Sequence, residues 1–131
     1  MLDYEMFNPY EGLIFDMDGT LIDTMPVHAQ AWTMVGERFG YEFDCQIMYN
    51  FGGATVRTIA GEMMKAANMP LDRIEDVLAA KRELSYQLIP TQSKLLPTFE
   101  IVKSFHQKKP IALGSGSHRK IIDMLMDKLA I

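Results

Sequence analysis

Only one cysteine occurs among the 131 residues of this sequence, Cys45. A lone cysteine cannot close a disulfide within the chain, so the composition favours a reducing compartment, and we expect a cytoplasmic protein. No stretch approaches the roughly 20 consecutive apolar residues that a membrane-spanning helix needs. The opening residues, Met1–Glu5, are acidic where a secretory signal would be basic. The sequence therefore predicts neither export nor a membrane partner.

Basic residues are outnumbered, with 13 Lys and Arg against 17 Asp and Glu, and the net charge at pH 7 is −4. This balance argues against a nucleic-acid partner and against general attraction to anionic lipid. An anionic ligand must therefore be bound by a local site. The length and the hydrophobic share of 48% are those of one ordinary globular domain.

Two short apolar runs lie far apart in the chain. The first, Gly12–Phe15, stops at Asp16-Met17-Asp18-Gly19-Thr20 and predicts a strand buried on both faces, as in parallel sheets. The second, Pro110–Gly114, leads into Ser115-Gly116-Ser117 and then into a predicted helix over 118–130, with Ser117 as its N-cap. The apolar face of that helix consists of Ile121, Ile122, Leu125, Met126 and Leu129.

The chain between the two strands is predicted to be helical. One helix starts near Pro26 and is closed by Gly40, because proline favours the first turn and glycine the position past the end. Further helices are predicted over 55–67, over 71–88 with an end near Pro90, and over 97–107. The plan is an α/β core, 1–23 plus 94–131, interrupted by a helical insert at about 24–93.

Asp16 and Asp18 lie where the first strand ends, at the edge at which open α/β sheets bind ligands. Two carboxylates this close repel each other and need a cation, a shared proton or solvent. A magnesium ion with a phosphate ester would satisfy the pair, and one carboxylate could attack phosphorus while the other carries a proton. Taken alone, the pair favours an ordinary surface turn, since Asp and Gly are common turn residues.

Ser115 follows the second strand and precedes a helix, so its hydroxyl can face an anion together with the backbone N–H groups of Gly116 and Ser117. Both serines could instead be plain turn and cap residues. Because parallel strands end at one sheet edge, we expect Ser115 beside the acidic pair. The two segments together predict a phosphate site.

These two segments resemble the motifs of the haloacid dehalogenase-like (HAD) hydrolases. Leu13–Thr24 is similar to the first motif of that superfamily, and Ile111–Ser117 is similar to the second. The resemblance implies an incomplete Rossmann-like parallel sheet core with an inserted α-helical cap. It points to the β-phosphoglucomutase-like subgroup, and closest to fructose-1-phosphate and 6-phosphogluconate phosphatases, through Pro26, His28, Ala31, Trp32 and residues 53–59. Where those relatives often have Glu before the proline, this chain has Met25.

The resemblance also implies roles for single residues. Asp16 would be the nucleophile that forms an aspartyl-phosphate, and its carboxylate would bind Mg²⁺. Asp18 would act as general acid and base, with its backbone carbonyl on the metal. Ser115, Gly116 and Ser117 would bind the phosphoryl group.

Other positions would shape the site or meet the substrate. These are Gly19 and Thr20 in the turn, His28 at the hinge of the cap, and Arg57 and Arg82 in the cap. His28 could equally be a packed or solvated side chain. The pair Lys81-Arg82 could simply be exposed and basic.

Family members normally continue with a third motif, a lysine, and a fourth, an acidic pair, and neither occurs in this sequence. We therefore expect the chain to be the front part of a longer protein. Since the lysine and the acidic pair would stabilise charge at the site, we expect the chain alone to hydrolyse phosphate esters poorly or not at all.

The predicted function is that of a Mg²⁺-dependent phosphatase for small sugar phosphates. One alternative is a β-phosphoglucomutase-type enzyme, which would pass the phosphoryl group to a sugar hydroxyl. Others are a non-catalytic remnant that binds phosphorylated ligands, and a helical interaction module with an incidental acidic turn.

Overall fold

The computed structural model describes residues 4–129, and the side chain of residue 129 lies outside that description. The strands and helices, in chain order, are β1 (Leu13–Asp16), β2 (Ile22–Asp23), α1 (Met25–Arg38), α2 (Gln46–Asn50), α3 (Val56–Ala66), α4 (Ile74–Gln92), β3 (Lys94–Leu95), α5 (Phe99–Phe105), β4 (Ile111–Gly114) and α6 (Arg119–Leu129). Short 3-10 turns occur at Glu5–Phe7 and Leu71–Arg73. Within residues 4–129 no helix is both long and apolar enough to cross a bilayer.

Strands β1 and β4 pair in parallel, as the two apolar runs predict. Asp16 lies opposite Gly114 in the register, so the residues that follow both strands emerge at the same edge. The prediction that β1 is buried on both faces is wrong, because Ile14 is 81% exposed. Side chains alternate between the faces of a strand. Phe15 and Leu113 pack towards α6, whereas no element within residues 4–129 buries Ile14 on the opposite face.

Two hydrophobic clusters organise the chain. The insert cluster lies among α1, α3 and the first half of α4, and its largest fully buried members are Trp32, Val35, Met63, Met64 and Val77. The core cluster joins the β1 turn to α6 through Met17, Ile22, Ile89, Ile121 and Leu125. Helix α4 spans both, since Leu84 belongs to the insert cluster and Ile89 to the core cluster.

Several helix boundaries differ from the sequence prediction. Helix α4 continues through Pro90 to Gln92 instead of ending before the proline. Because Pro90 has no N–H, the carbonyl of Tyr86 lacks its usual helical donor, yet burial of Ile89 and Pro90 keeps the turn helical. Helix α6 begins at Arg119, so Ser117 lies before it; the Ser117 hydroxyl bonds Asp18 instead of capping the helix.

Strands β2 and β3 were not predicted, and they join the two segments that lead into and out of the insert. Ile22 pairs antiparallel with Leu95, and Leu96 N donates to Leu21 O at 2.8 Å. The Thr98 hydroxyl donates to the carbonyl of Thr20. These bonds tie the turn after β1 to the end of the insert. The division into a core and a cap at 24–93 remains a prediction.

Candidate active site

Asp16 ends β1 with an exposed side chain. The Thr20 hydroxyl donates a long hydrogen bond of 3.4 Å to Oδ2, and the exposed carboxylate is largely free to bind another group. Gly19 turns the chain back with φ 74°, a left-handed conformation that suits glycine. Gly19 N donates to Ile22 O at 2.8 Å, which closes the turn. Gly19 and Thr20 therefore shape the turn that presents Asp16.

Asp18 is the meeting point of the two predicted motifs. Its Oδ2 accepts a hydrogen bond from Ser117 Oγ at 2.6 Å and a longer one from Ser115 Oγ at 3.4 Å. The backbone N–H of Ser117 also donates to Ser115 Oγ at 3.1 Å. The structure thus brings together Asp16, Asp18 and both serines at one edge of the sheet, and Gly116 lies exposed in the same loop.

The other oxygen of Asp18 faces the insert. Oδ1 accepts from the fully buried Thr24 hydroxyl at 2.5 Å and lies 3.5 Å from His28 Nε2. His28 Nδ1 is 3.1 Å from the Lys81 ammonium, which can only donate. Nδ1 must therefore accept, so the ring proton lies on Nε2 and faces Asp18. Lys81, His28 and Asp18 form a continuous chain of hydrogen bonds.

Burial and hydrogen bonding set the protonation states along this chain. Burial raises the pKa of Asp18, but hydrogen bonds from His28, Ser117 and Thr24 outweigh it and lower the pKa to about 2. Burial lowers the pKa of His28, and the nearby Lys81 charge lowers it further, against the opposite effect of Asp18. Asp18 is therefore ionised at neutral pH, and His28 is favoured as the neutral donor.

One interpretation of the sequence was that Lys81 and Arg82 form an exposed basic pair. The structure shows that Lys81 is buried. It is 4% exposed, donates to Ser85 Oγ at 2.9 Å, and lies 5.1 Å from the centroid of the Trp32 ring. Burial lowers its pKa to about 8, although Asp18 favours the charged form. Lys81 lies four residues after the buried Val77 and three before the buried Leu84, so the three share one face of α4. This spacing is the sequence signal that could have predicted its burial.

The sequence predicted no role for Thr24. It did predict that Arg57 and Arg82 contact the substrate. Arg57 forms an exposed ion pair with Glu75 at 2.6 Å. Arg82 is exposed, as the same interpretation of Lys81-Arg82 allowed. Within residues 4–129 no hydrogen bond or ion pair connects either arginine to Asp16 or to Asp18. Contact of these arginines with substrate remains a prediction.

The oxygens at the sheet edge suit a magnesium ion. Mg²⁺ is a hard cation that is commonly bound by one or two carboxylates, with water and phosphate oxygens completing an octahedron. Asp16 offers a carboxylate with one weak internal partner, whereas both carboxylate oxygens of Asp18 are already engaged. The Asp16 side chain therefore fits such an ion, and a second ligand at the Asp18 backbone carbonyl is what the family resemblance implies. In the described part of the chain, no group of three or more His, Cys, Asp or Glu side chains is arranged so that it could hold a metal ion.

Comparison with known proteins places this geometry in a family. Residues 10–131 match the profile of the haloacid dehalogenase-like hydrolases. The chain is 97% identical over 131 residues to an uncharacterized protein of Haemophilus influenzae, covering 100% of this chain and 66% of that protein. It is 34% identical over 126 residues to fructose-1-phosphate phosphatase YqaB of Escherichia coli, covering 96% of this chain and 66% of YqaB. The chain spans just under two thirds of the length of both relatives.

A solved structure supports the fold. A hydrolase from Pseudomonas syringae superposes with a TM-score of 0.73 at 15% identity, covering 93% of this chain and 57% of that one. At this identity the likeness concerns the fold alone. Together, the matches confirm the α/β fold class and the family resemblance that the two motifs carry.

Proposed function

The chain belongs to the haloacid dehalogenase-like hydrolases, and from that membership we propose that it carries the nucleophile and phosphate loop of a Mg²⁺-dependent phosphatase for small sugar phosphates. The observation that carries the proposal is the convergence of Ser115 and Ser117 on Asp18, beside an exposed Asp16. The resemblance to a relative named fructose-1-phosphate phosphatase supports a sugar phosphate as substrate and favours transfer to water over transfer to a second sugar. A cytoplasmic location is part of the same proposal.

In the proposed reaction, an oxygen of Asp16 attacks phosphorus, and the bond between phosphorus and the sugar oxygen breaks. Asp18 gives its proton to the departing oxygen. Water then attacks the aspartyl-phosphate, Asp18 takes the proton of that water, and inorganic phosphate leaves. A bound Mg²⁺, held by Asp16 and the Asp18 carbonyl, would supply positive charge next to the phosphoryl oxygens.

The acid step requires a change at Asp18, because the carboxylate is ionised in the arrangement described above. The Ser117 hydroxyl has one proton, so it cannot donate to Asp18 and to a phosphoryl oxygen at once. We propose that Ser115 and Ser117 turn to the phosphoryl group when it binds. Asp18 then loses donors and gains a neighbouring negative charge, and both changes favour its protonated form.

Binding of orthophosphate in the presence of Mg²⁺, measured by calorimetry, tests the site. We expect Mg²⁺ to strengthen binding, and Ser115→Ala to weaken it about 10- to 100-fold, because a hydrogen bond to a charged group is lost. Ser104→Ala on α5 is the matched control and should bind like the wild type. Affinity that is the same in both variants and independent of Mg²⁺ would contradict the proposed phosphate site.

Release of phosphate from fructose 1-phosphate tests the reaction. The lysine and acidic pair of the family pattern do not occur in this sequence, so we expect slow turnover, and Asp16→Asn should abolish what there is. Asp23→Asn, after the turn, is the control that keeps the same change of charge. Turnover that survives Asp16→Asn would exclude Asp16 as the nucleophile.

A further inference from the structure

A contact between α4 and the start of α6 lies outside the residues already given a role. Tyr86 Oη is 3.4 Å from His118 Nδ1, and the two rings meet edge to face with centroids 6.3 Å apart. The Lys120 ammonium lies 4.4 Å from the centroid of the Tyr86 ring, a cation–π distance. Tyr86 is half-buried, whereas His118 and Lys120 are exposed.

His118 is the residue at which the serine loop becomes a helix. It directly follows Ser117, and its carbonyl accepts from Ile121 N at 2.9 Å and from Ile122 N at 3.2 Å. Within the loop, the Ser117 hydroxyl donates to Asp18 and the Ser117 N–H donates to Ser115 Oγ, whereas a side chain at Gly116 would meet no atom within 4 Å. The orientation of Ser117 therefore depends on these two bonds, on β4 before the loop and on His118 after it.

Two residues of α4 are therefore connected, each through other residues, to the two carboxylate oxygens of Asp18. Lys81 acts on Oδ1 through His28, and Tyr86, five residues further along α4, reaches the Oδ2 side through His118 and the adjacent Ser117. We propose that Tyr86 is a positioning residue, whose hydroxyl fixes His118 and thereby the direction of the Ser117 hydroxyl. The part of this inference that concerns phosphate rests on the proposed function.

Tyr86→Phe removes only the hydroxyl and keeps the ring against His118 and Lys120. We expect the imidazole nitrogen resonances of His118 and the backbone amide resonance of Ser117 to shift in this variant, since Nδ1 loses its partner. His106, exposed directly after α5, serves as the internal reference. Tyr49→Phe on α2 is the matched control, because Tyr49 is 47% exposed and lies outside this contact.

Orthophosphate affinity in the presence of Mg²⁺ gives a second readout. Loss of one hydrogen bond that orients a binding group should weaken affinity about 2- to 10-fold in Tyr86→Phe and not in Tyr49→Phe. If Tyr86 acts through Ser117, adding Tyr86→Phe to Ser117→Ala should cause no further loss. If Tyr86 were merely structural, Tyr86→Phe would lower the stability of both the wild type and Ser117→Ala. Its effect on phosphate affinity would then add to that of Ser117→Ala.

The two measurements separate failure of this inference from failure of the proposed function. Resonances of His118 and Ser117 that are unchanged in Tyr86→Phe would overturn the positioning role, and so would additive losses of phosphate affinity. If the wild type binds no phosphate while those resonances shift, the proposed function fails and the positioning of Ser117 by Tyr86 is supported.

Discussion

Ser117 donates its hydroxyl proton to Asp18 Oδ2 at 2.6 Å, although 99 residues separate them in the chain. The bond connects the loop after β4 to the turn after β1. It brings the candidate phosphate-binding residue, Ser117, into contact with the candidate general acid, Asp18. It also helps to hold Asp18 as a carboxylate. The same hydroxyl therefore cannot serve both partners once an anion arrives.

Thr24→Val should destabilise the chain by about 1–3 kcal/mol. Thr24 is fully buried, and valine keeps its shape while removing the donor to the charged Asp18. Urea unfolding measures the change. Thr91→Val is the control, because Thr91 is exposed and its hydroxyl bonds the backbone carbonyls of Gln87 and Leu88 in its own helix. A loss of equal size there would contradict the role of Thr24.

His28→Phe should raise the pKa of Asp18 above its value of about 2. The variant removes the hydrogen bond that His28 donates to Asp18, while burial, which raises the pKa, remains. Carboxyl ¹³C resonances followed through an acid titration give the value. His106→Phe should leave the Asp18 titration unchanged, and a shift of similar size in that variant would mean that His28 is not the cause.

Lys81 predicts a specific dependence of stability on alkaline pH. Its pKa is about 8 in the folded chain against 10.5 for the free group, so the unfolded chain binds more protons between these values. The free energy of unfolding attributable to Lys81 therefore rises with pH across that window, by up to about 3 kcal/mol, and is lost as pH falls back through it.

Comparison with Lys81→Met isolates this effect, because the variant removes the Lys81 ammonium and keeps every other ionisable side chain. The wild type should gain stability relative to the variant as pH increases from 8 to 10.5. A constant difference would show that Lys81 is not held in a buried environment.

Because one face of β1 is exposed, we expect substitutions at the neighbouring residues Ile14 and Phe15 to differ in their effect on stability. Ile14→Thr should change stability by no more than about 0.5 kcal/mol, because Ile14 is 81% exposed and threonine suits a strand. Phe15→Ala, on the face that packs towards α6, should cost about 2–4 kcal/mol. Thermal and urea unfolding of both variants measure the difference. Equal costs would mean that the two faces are buried alike.

The sequence was informative where one local pattern decides the structure. An apolar run ending in Asp and Gly predicted β1, and the parallel edge predicted that Ser115 would lie beside Asp16 and Asp18. The pattern could not show whether a strand is covered on both sides, since burial of Ile14 depends on what packs over it. Apolar character alone does not specify a covering layer.

Long-range contacts account for the residues that were missed. Lys81 is buried because Trp32 and His28, about 50 residues earlier, surround it in the fold. Strands β2 and β3 are two residues long and exist through pairing across the whole insert. Arg57 forms an exposed ion pair with Glu75, and its contact with substrate remains a prediction. None of these relationships is visible in a short window of sequence.

A single helix shared by two hydrophobic clusters restricts how the insert can move. Tilting α4 to open the site would pull Ile89 out of the core cluster, unless the helix flexes between Leu84 and Ile89. The carbonyl of Tyr86 already lacks a helical donor because residue 90 is proline, so flexing in that turn breaks one bond fewer than elsewhere. Bending of α4 as the site opens and closes would thus be concentrated in the single turn from Tyr86 to Pro90. Tyr86 is also the residue whose hydroxyl contacts His118.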